Sequence, residues 1–167
     1  FSRYPRTLQD DVDKLKAAGV DALFLPNNAD MYPKGFGTYV EPPPLAQELC
    51  GASRKDHFRG VLTVVLKLLH MVQPQVAVFG QKDYQQLSLI RTMVRDFNLP
   101  VEIVGGPIVR EPDGLAMSSR NRYLDEEQRR AAAVISQTLS FLQEKCDQGQ
   151  KSIEALESAW AEWLAKT

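Results

Sequence analysis

Val76-Ala77-Val78-Phe79-Gly80-Gln81-Lys82-Asp83-Tyr84-Gln85-Gln86 decides how this chain is read. Four apolar residues lead through a glycine and a lysine into a helical pattern. In that pattern Leu87, Ile90, Met93 and Val94 share one face of residues 83–96. An apolar run, a glycine turn and a helix start mark a strand-to-helix junction of an α/β protein. The amino end of such a helix offers unpaired N–H groups and the positive end of its dipole, and Lys82 adds a point charge. The junction is therefore suited to an anion.

The flanking sequence repeats the alternation. Val61, Val64, Val65, Leu68, Leu69 and Val72 recur at helical spacing over residues 58–72, and Gln73-Pro74-Gln75 ends that helix. Residues 76–79 read as a buried-type strand. Asn98-Leu99-Pro100 closes the following helix, and residues 101–104 form the next strand. Helix, strand, helix and strand in this order predict a Rossmann-like, doubly wound parallel sheet.

Nearer the start, Thr7 is an N-cap with Asp10 at the capping-box position, Pro5 precedes it, and Gly19 is the C-cap. Leu8, Val12, Leu15 and Ala18 supply the apolar spacing between them. Residues 22–25 and 38–40 read as short strands, 26–38 as a loop, and 45–49 as a short helical piece after Pro42-Pro43-Pro44.

Beyond residue 104 the pattern changes. Glu111-Pro112-Asp113-Gly114 is a turn between 108–110 and 115–117, which suggests a hairpin. Asp125 and Gln128 form a capping box for a helix to about residue 145. Gln148-Gly149-Gln150 is a linker, and residues 152–166 form a last helix striped by Ile153, Leu156, Trp160, Trp163 and Leu164. The expected organisation is a nucleotide-binding domain over 1–117 and the beginning of a smaller C-terminal domain over 118–167, both partial.

Composition narrows the classes. With 20 basic and 21 acidic residues the net charge is −1, which argues against a broad nucleic-acid surface but not against a local phosphate site. Cys50 and Cys146 fit neither a metal-ligand spacing nor a redox pair, so reduced thiols and a cytoplasmic location are expected. No stretch is long and apolar enough to span a membrane.

Met117-Ser118-Ser119-Arg120-Asn121 is the second informative segment: two hydroxyls, a guanidinium and an amide in a row. A planar guanidinium donates two hydrogen bonds at once to a phosphate. The ordinary reading of such a string is a solvated loop. Lys82 by itself reads as a surface lysine. Asp83 and Gln86 have the spacing of a capping box. Val61, Val64 and Val65 read as core, Gly80 as a turn residue, Val109 as a strand residue and Met117 as packing. His57 and His70 are assigned structural roles, and Arg54 and Lys55 make a local basic spot.

FGQKDYQQLSLIR, DGLAMSSRNRYL and HFRGVLTVVLKLL resemble the pantothenate synthetase family, as do YPRTLQDD and VGGPIVREPDG. The wider relatives are nucleotidyltransferases with an HxGH motif and a KMSKS-like loop, here MSSRN. The resemblance implies an ATP-dependent ligase joining pantoate to β-alanine through a pantoyl adenylate, with release of AMP and pyrophosphate. It implies ATP contacts at Gly80, Lys82, Asp83, Val109, Met117, Ser118, Ser119 and Arg120, of which Lys82, Ser118, Ser119 and Arg120 are catalytic. It implies pantoate contacts at Gln86, Val61, Val64 and Val65. Mg2+ is expected with ATP as substrate, with no tightly bound cofactor and no protein metal site. A homodimer is expected.

The HxGH motif does not occur in residues 1–167, and His57 and His70 lack its spacing. In the family that motif lies upstream of the segment resembling residues 2–7. The chain is therefore expected to be an internal piece with little activity alone. A cytidylyltransferase-like enzyme and a non-catalytic dimerisation module are the alternatives. Nucleotide preference together with a β-alanine requirement separates the first, and absence of nucleotide binding the second.

Overall fold

The computed structural model describes residues 7–165. Pro5, read above as preceding the first helix, and residue 166, read as the end of the last, lie outside the described residues, as does most of YPRT. The chain divides into two compact units, one over Thr7–Pro107 and one over residues 108–165, so the division falls ten residues before the sequence boundary at 117.

In the first unit, α1 (Leu8–Ala17) ends as its glycine requires. Gly19 has φ +74, its N–H donates to the Lys16 carbonyl, and the Val20 N–H donates to the Leu15 carbonyl. These paired bonds form a Schellman motif, which glycine accommodates without strain. At the other end Thr7 makes no side-chain cap bond, so the expected capping box with Asp10 is absent. Its backbone (φ −119, ψ 64) lies outside the extended region in which an N-cap hydroxyl reaches the helix amides.

Residues 22–25 form no strand. Leu23, Phe24 and Leu25 are at least half exposed, and an apolar run becomes a strand only when a neighbour accepts its ladder. The loop after them contains an unanticipated turn of helix, α2 (Asn28–Met31), held by a capping box between Asn27 and Asp30.

Residues 38–40 likewise form no strand, because the Val40 N–H donates to the buried Thr63 hydroxyl (3.0 Å) instead of to a neighbouring strand. That hydroxyl donates in turn to the Arg59 carbonyl at 2.7 Å. The short helical piece expected at 45–49 divides into a 3-10 turn, Pro44–Gln47, and α3 (Cys50–Ser53).

Next come α4 (His57–Val72), β1 (Val76–Gly80), a 3-10 turn over Gln81–Asp83, α5 (Tyr84–Asp96) and β2 (Glu102–Gly106). The strands pair in parallel, with Val76 opposite Glu102 and Gly80 opposite Gly106. The unit is thus α/β with a parallel sheet, and α5 forms the crossover. Phe58, Leu62, Val65 and Leu69 of α4 pack with Leu89, Ile90, Met93 and Val94 of α5, and Ala77, Phe79 and Ile103 of the sheet lie against them. The strands are less buried than a continuous apolar run suggests. Alternate residues turn away from this core, and Val78 is 68% exposed.

In the second unit, Val109 and Met117 begin a hairpin. The Met117 N–H donates to the Val109 carbonyl, Arg110 bridges Ala116, and the Gly114 N–H closes the turn on the Glu111 carbonyl. Gly114 has φ +86, as the residue after a type I turn in a three-residue hairpin loop requires. A 3-10 turn, Ser119–Tyr123, follows. Then comes α6 (Glu126–Asp147), whose Asp125–Gln128 capping box forms as expected. The last helix, α7 (Ile153–Leu164), is N-capped by Ser152 and stacks Trp163 on Phe141 of α6.

Candidate active site

Gly80 is the last residue of β1, and Lys82 lies in the turn that joins it to α5. Both are exposed. Gly80 has an ordinary φ of −67, and a Cβ built there meets nothing within 4 Å. Nothing in the fold requires glycine at this position. What its missing side chain leaves open is approach to the backbone at the carboxyl end of the strand.

Asp83 is the N-cap of α5 by position, but its side chain makes no cap bond. With φ −93 and ψ 61 its backbone is not extended, so the carboxylate is not aimed at the amide of Gln86. The capping-box reading of Asp83 and Gln86 is therefore set aside. Gln86 is half-buried in the first turn of the helix.

Asp83 influences His57, the first residue of α4. Burial lowers the His57 pKa, the Arg54 charge lowers it further, and Asp83 opposes both. His57 is thus kept neutral near pH 7, with its ring 4.9 Å from that of Phe58. The His70 Nδ1 bonds to the Leu66 carbonyl at 2.9 Å, a helix-surface contact.

The three valines differ. Val65 is 9% exposed and belongs to the core, while Val61 and Val64 pack against it and keep part of their surface.

Sequence reasoning did not single out Gln85. Its side-chain amide donates to the carbonyls of Leu45 (2.9 Å) and Glu48 (2.7 Å) and accepts from the Cys50 N–H (3.1 Å). These bonds bracket Leu49, which has φ 47 and ψ −118 and is 76% exposed. With the Gly51 N–H closing on the Glu48 carbonyl at 2.8 Å, Leu49 occupies the first central position of a type II′ turn. Glycine is the usual residue there, and a side chain in such a conformation costs roughly 1–3 kcal/mol. Three glutamines at 81, 85 and 86 were the only sequence signal, and they do not reveal a partner 35 residues away.

In the second unit Val109 is 62% exposed and Met117 55%, so neither is core. Ser118 is half-buried and its hydroxyl accepts from the Arg120 N–H at 3.3 Å, capping the 3-10 turn. Ser119 and Arg120 are exposed. The segment is an anchored turn, and what anchors it was not legible. The Asn121 amide donates to Glu111 (2.6 Å) and to the Ala116 carbonyl (3.1 Å). Arg129 of α6 donates to Glu111 and, at 2.7 Å, to Asp113. The Arg129 bond, then the Asn121 bond, hold the Glu111 carboxyl below its ordinary range. The Leu115 N–H, then Arg129, do the same for Asp113.

The parallel sheet, with an exposed glycine, lysine and helix start at the carboxyl end of β1, defines an α/β protein, a class whose open sheets commonly bind ligands at that end. The family model for pantoate-beta-alanine ligase matches residues 1–167, and the chain belongs to that family. It is 50% identical over 166 residues to the pantothenate synthetase of Geotalea daltonii, covering 99% of this chain and 59% of that one. It is 54% identical over 159 residues to that of Roseiflexus castenholzii, covering 95% and 57%. The crystal structure of the Thermus thermophilus enzyme superposes with a TM-score of 0.91 at 51% identity, over 99% of this chain and 60% of that one. The Francisella tularensis ligase, solved with beta-gamma ATP and beta-alanine, gives 0.76 at 38% identity, over 95% and 59%. The chain thus spans about three fifths of the length of these relatives.

Proposed function

We propose that this chain carries part of the site of an ATP-dependent ligase that joins pantoate to β-alanine. A pantoate carboxylate oxygen attacks the α-phosphorus of ATP, and the bond to pyrophosphate breaks. The amine of β-alanine then attacks the activated carbonyl, AMP departs with the bonding pair, and the amine proton is lost to water. No enzyme nucleophile is needed. The protein's work is positioning and stabilisation of developing charge.

Lys82 holds phosphate oxygens, while Gly80 lets the nucleotide reach the backbone and Asp83 holds the nucleotide. Ser118, Ser119 and Arg120 donate to phosphates, and Val109 and Met117 contact the nucleotide. Gln86 binds pantoate polar groups. Val61 and Val64 face its geminal methyls, and Val65 backs them from the core. No group of three His, Cys, Asp or Glu side chains converges among the described residues. Mg2+ arrives as Mg-ATP, held mainly by phosphate oxygens and water, as is usual for this ion. The functional domains are 1–117 and 118–167. The protein is a cytoplasmic homodimer.

One observation carries this reading: the β1–α5 turn exposes Lys82 next to a glycine the fold does not need and an aspartate that caps nothing. Calorimetric titration of the 167-residue chain with Mg-ATP tests it. Lys82→Ala should weaken binding at least about tenfold, the usual loss of a hydrogen bond to a charged group, and leave the unfolding midpoint unchanged. Equal affinity in the two proteins would remove Lys82 from the site, and no binding by either would overturn the ATP reading.

A further inference from the structure

We infer that Gln85 is a positioning residue of the pantoate pocket: its amide holds the 45–51 segment in a strained turn that supports the neighbouring Gln86. This rests on the ligase reading above and adds a residue to it. Gln85 makes no contact assigned to substrate. It spends both donors of its amide and its oxygen on one segment, at the carbonyls of Leu45 and Glu48 and the N–H of Cys50.

The segment needs such a hold. Leu49 takes a backbone conformation that suits glycine, yet its side chain gains no burial there in return. Gly51 leaves no slack, because a Cβ built there would lie 1.7 Å from the Ala46 carbonyl oxygen. The unfavourable turn therefore persists because neighbouring bonds over-determine it, and Gln85 supplies three of them. The same helical turn carries Gln86. A loose 45–51 segment would let the first turn of α5 move, and a misplacement of about 1 Å at a positioning group costs up to about a hundredfold.

The test is pantoate and Mg-ATP titration of the unsubstituted chain, Gln85→Ala and Gln85→Ala/Leu49→Gly, with hydrogen exchange of the Cys50 amide read in the same proteins without ligand. Gln85→Ala should weaken pantoate binding about tenfold, weaken Mg-ATP binding much less and speed exchange at Cys50 while the α4 core stays protected. Adding Leu49→Gly should restore pantoate affinity, since glycine adopts the turn without a clamp. A single variant that binds pantoate normally, equal losses for both ligands, or failure of Leu49→Gly to restore binding would each overturn the inference while the ligase reading stands. Failure of the unsubstituted chain to bind pantoate would overturn both, whatever the exchange at Cys50.

Discussion

Single residues in this chain reveal their work by what their neighbours lack. Thr63 is the one polar side chain among the buried described residues, and it satisfies the Val40 N–H that no strand accepts. Its hydroxyl also donates to the Arg59 carbonyl, so the 38–40 stretch is tied to α4 through one oxygen. Thr63→Val keeps the shape and removes both bonds. The Val40 N–H is then buried without an acceptor, at a cost of about 1–3 kcal/mol. The denaturant midpoint followed by far-UV circular dichroism should fall accordingly, and Thr63→Ser should recover most of the loss. A Thr63→Val midpoint equal to that of the unsubstituted chain would show that water or a backbone shift satisfies Val40. Gly80 illustrates the opposite case. Neither its φ of −67 nor any atom within 4 Å of a Cβ built there demands glycine.

Elements were legible where local chemistry decides them and illegible where a distant partner does. The α4–β1–α5–β2 order and the Asp125 capping box could be read because periodicity, breakers and caps are encoded within a few residues. The strands expected at 22–25 and 38–40 failed because a strand needs a partner, and no local pattern states whether one is present. The capping reading of Asp83 and Gln86 failed because spacing does not fix φ and ψ. Of the candidate residues, Lys82 and the Ser118–Arg120 string were visible, whereas the groups that anchor that string were not. Arg129 reaches back 18 residues to Glu111 and 16 to Asp113, across a turn whose geometry sequence does not reveal. This anchoring has a pH signature. Both carboxyls titrate below their ordinary values in the folded chain, so the unfolded chain binds more protons on acidification. Their stabilisation is complete above about pH 4.5 and is lost as pH falls through the lowered folded values. Glu111→Gln should weaken the second unit at pH 7 and flatten its loss of stability as pH falls below about 4.5, as read by tryptophan fluorescence. An unchanged slope would mean that the Arg129 bonds are not maintained in solution.

Across the whole chain, burial is distributed unevenly, and that sets the order in which the units lose structure. The buried hydrophobic residues described in the first unit run from Met31 to Val94 and include Leu62, Leu87, Leu89 and Ile90, all nearly inaccessible. The second unit contributes only Ala133 to that set, while Ile135, Leu139, Ile153, Trp160 and Leu164 are substantially exposed. Helices α6 and α7 meet through partly buried contacts such as Phe141 on Trp163 rather than through an enclosed core. Because burial of apolar surface is the main favourable contribution to folding, residues 108–165 should open at lower free energy than residues 7–107. The sequence provides a selective probe, since its two tryptophans, Trp160 and Trp163, both lie in α7. Far-UV circular dichroism, by contrast, follows helices of both units. In a urea titration the tryptophan emission should shift at a lower denaturant concentration than the bulk of the dichroism signal, and amides of α4 and α5 should remain protected from exchange after those of α6 have lost protection. Coincident transitions by the two optical probes would show that the units unfold as one cooperative body and would overturn this order.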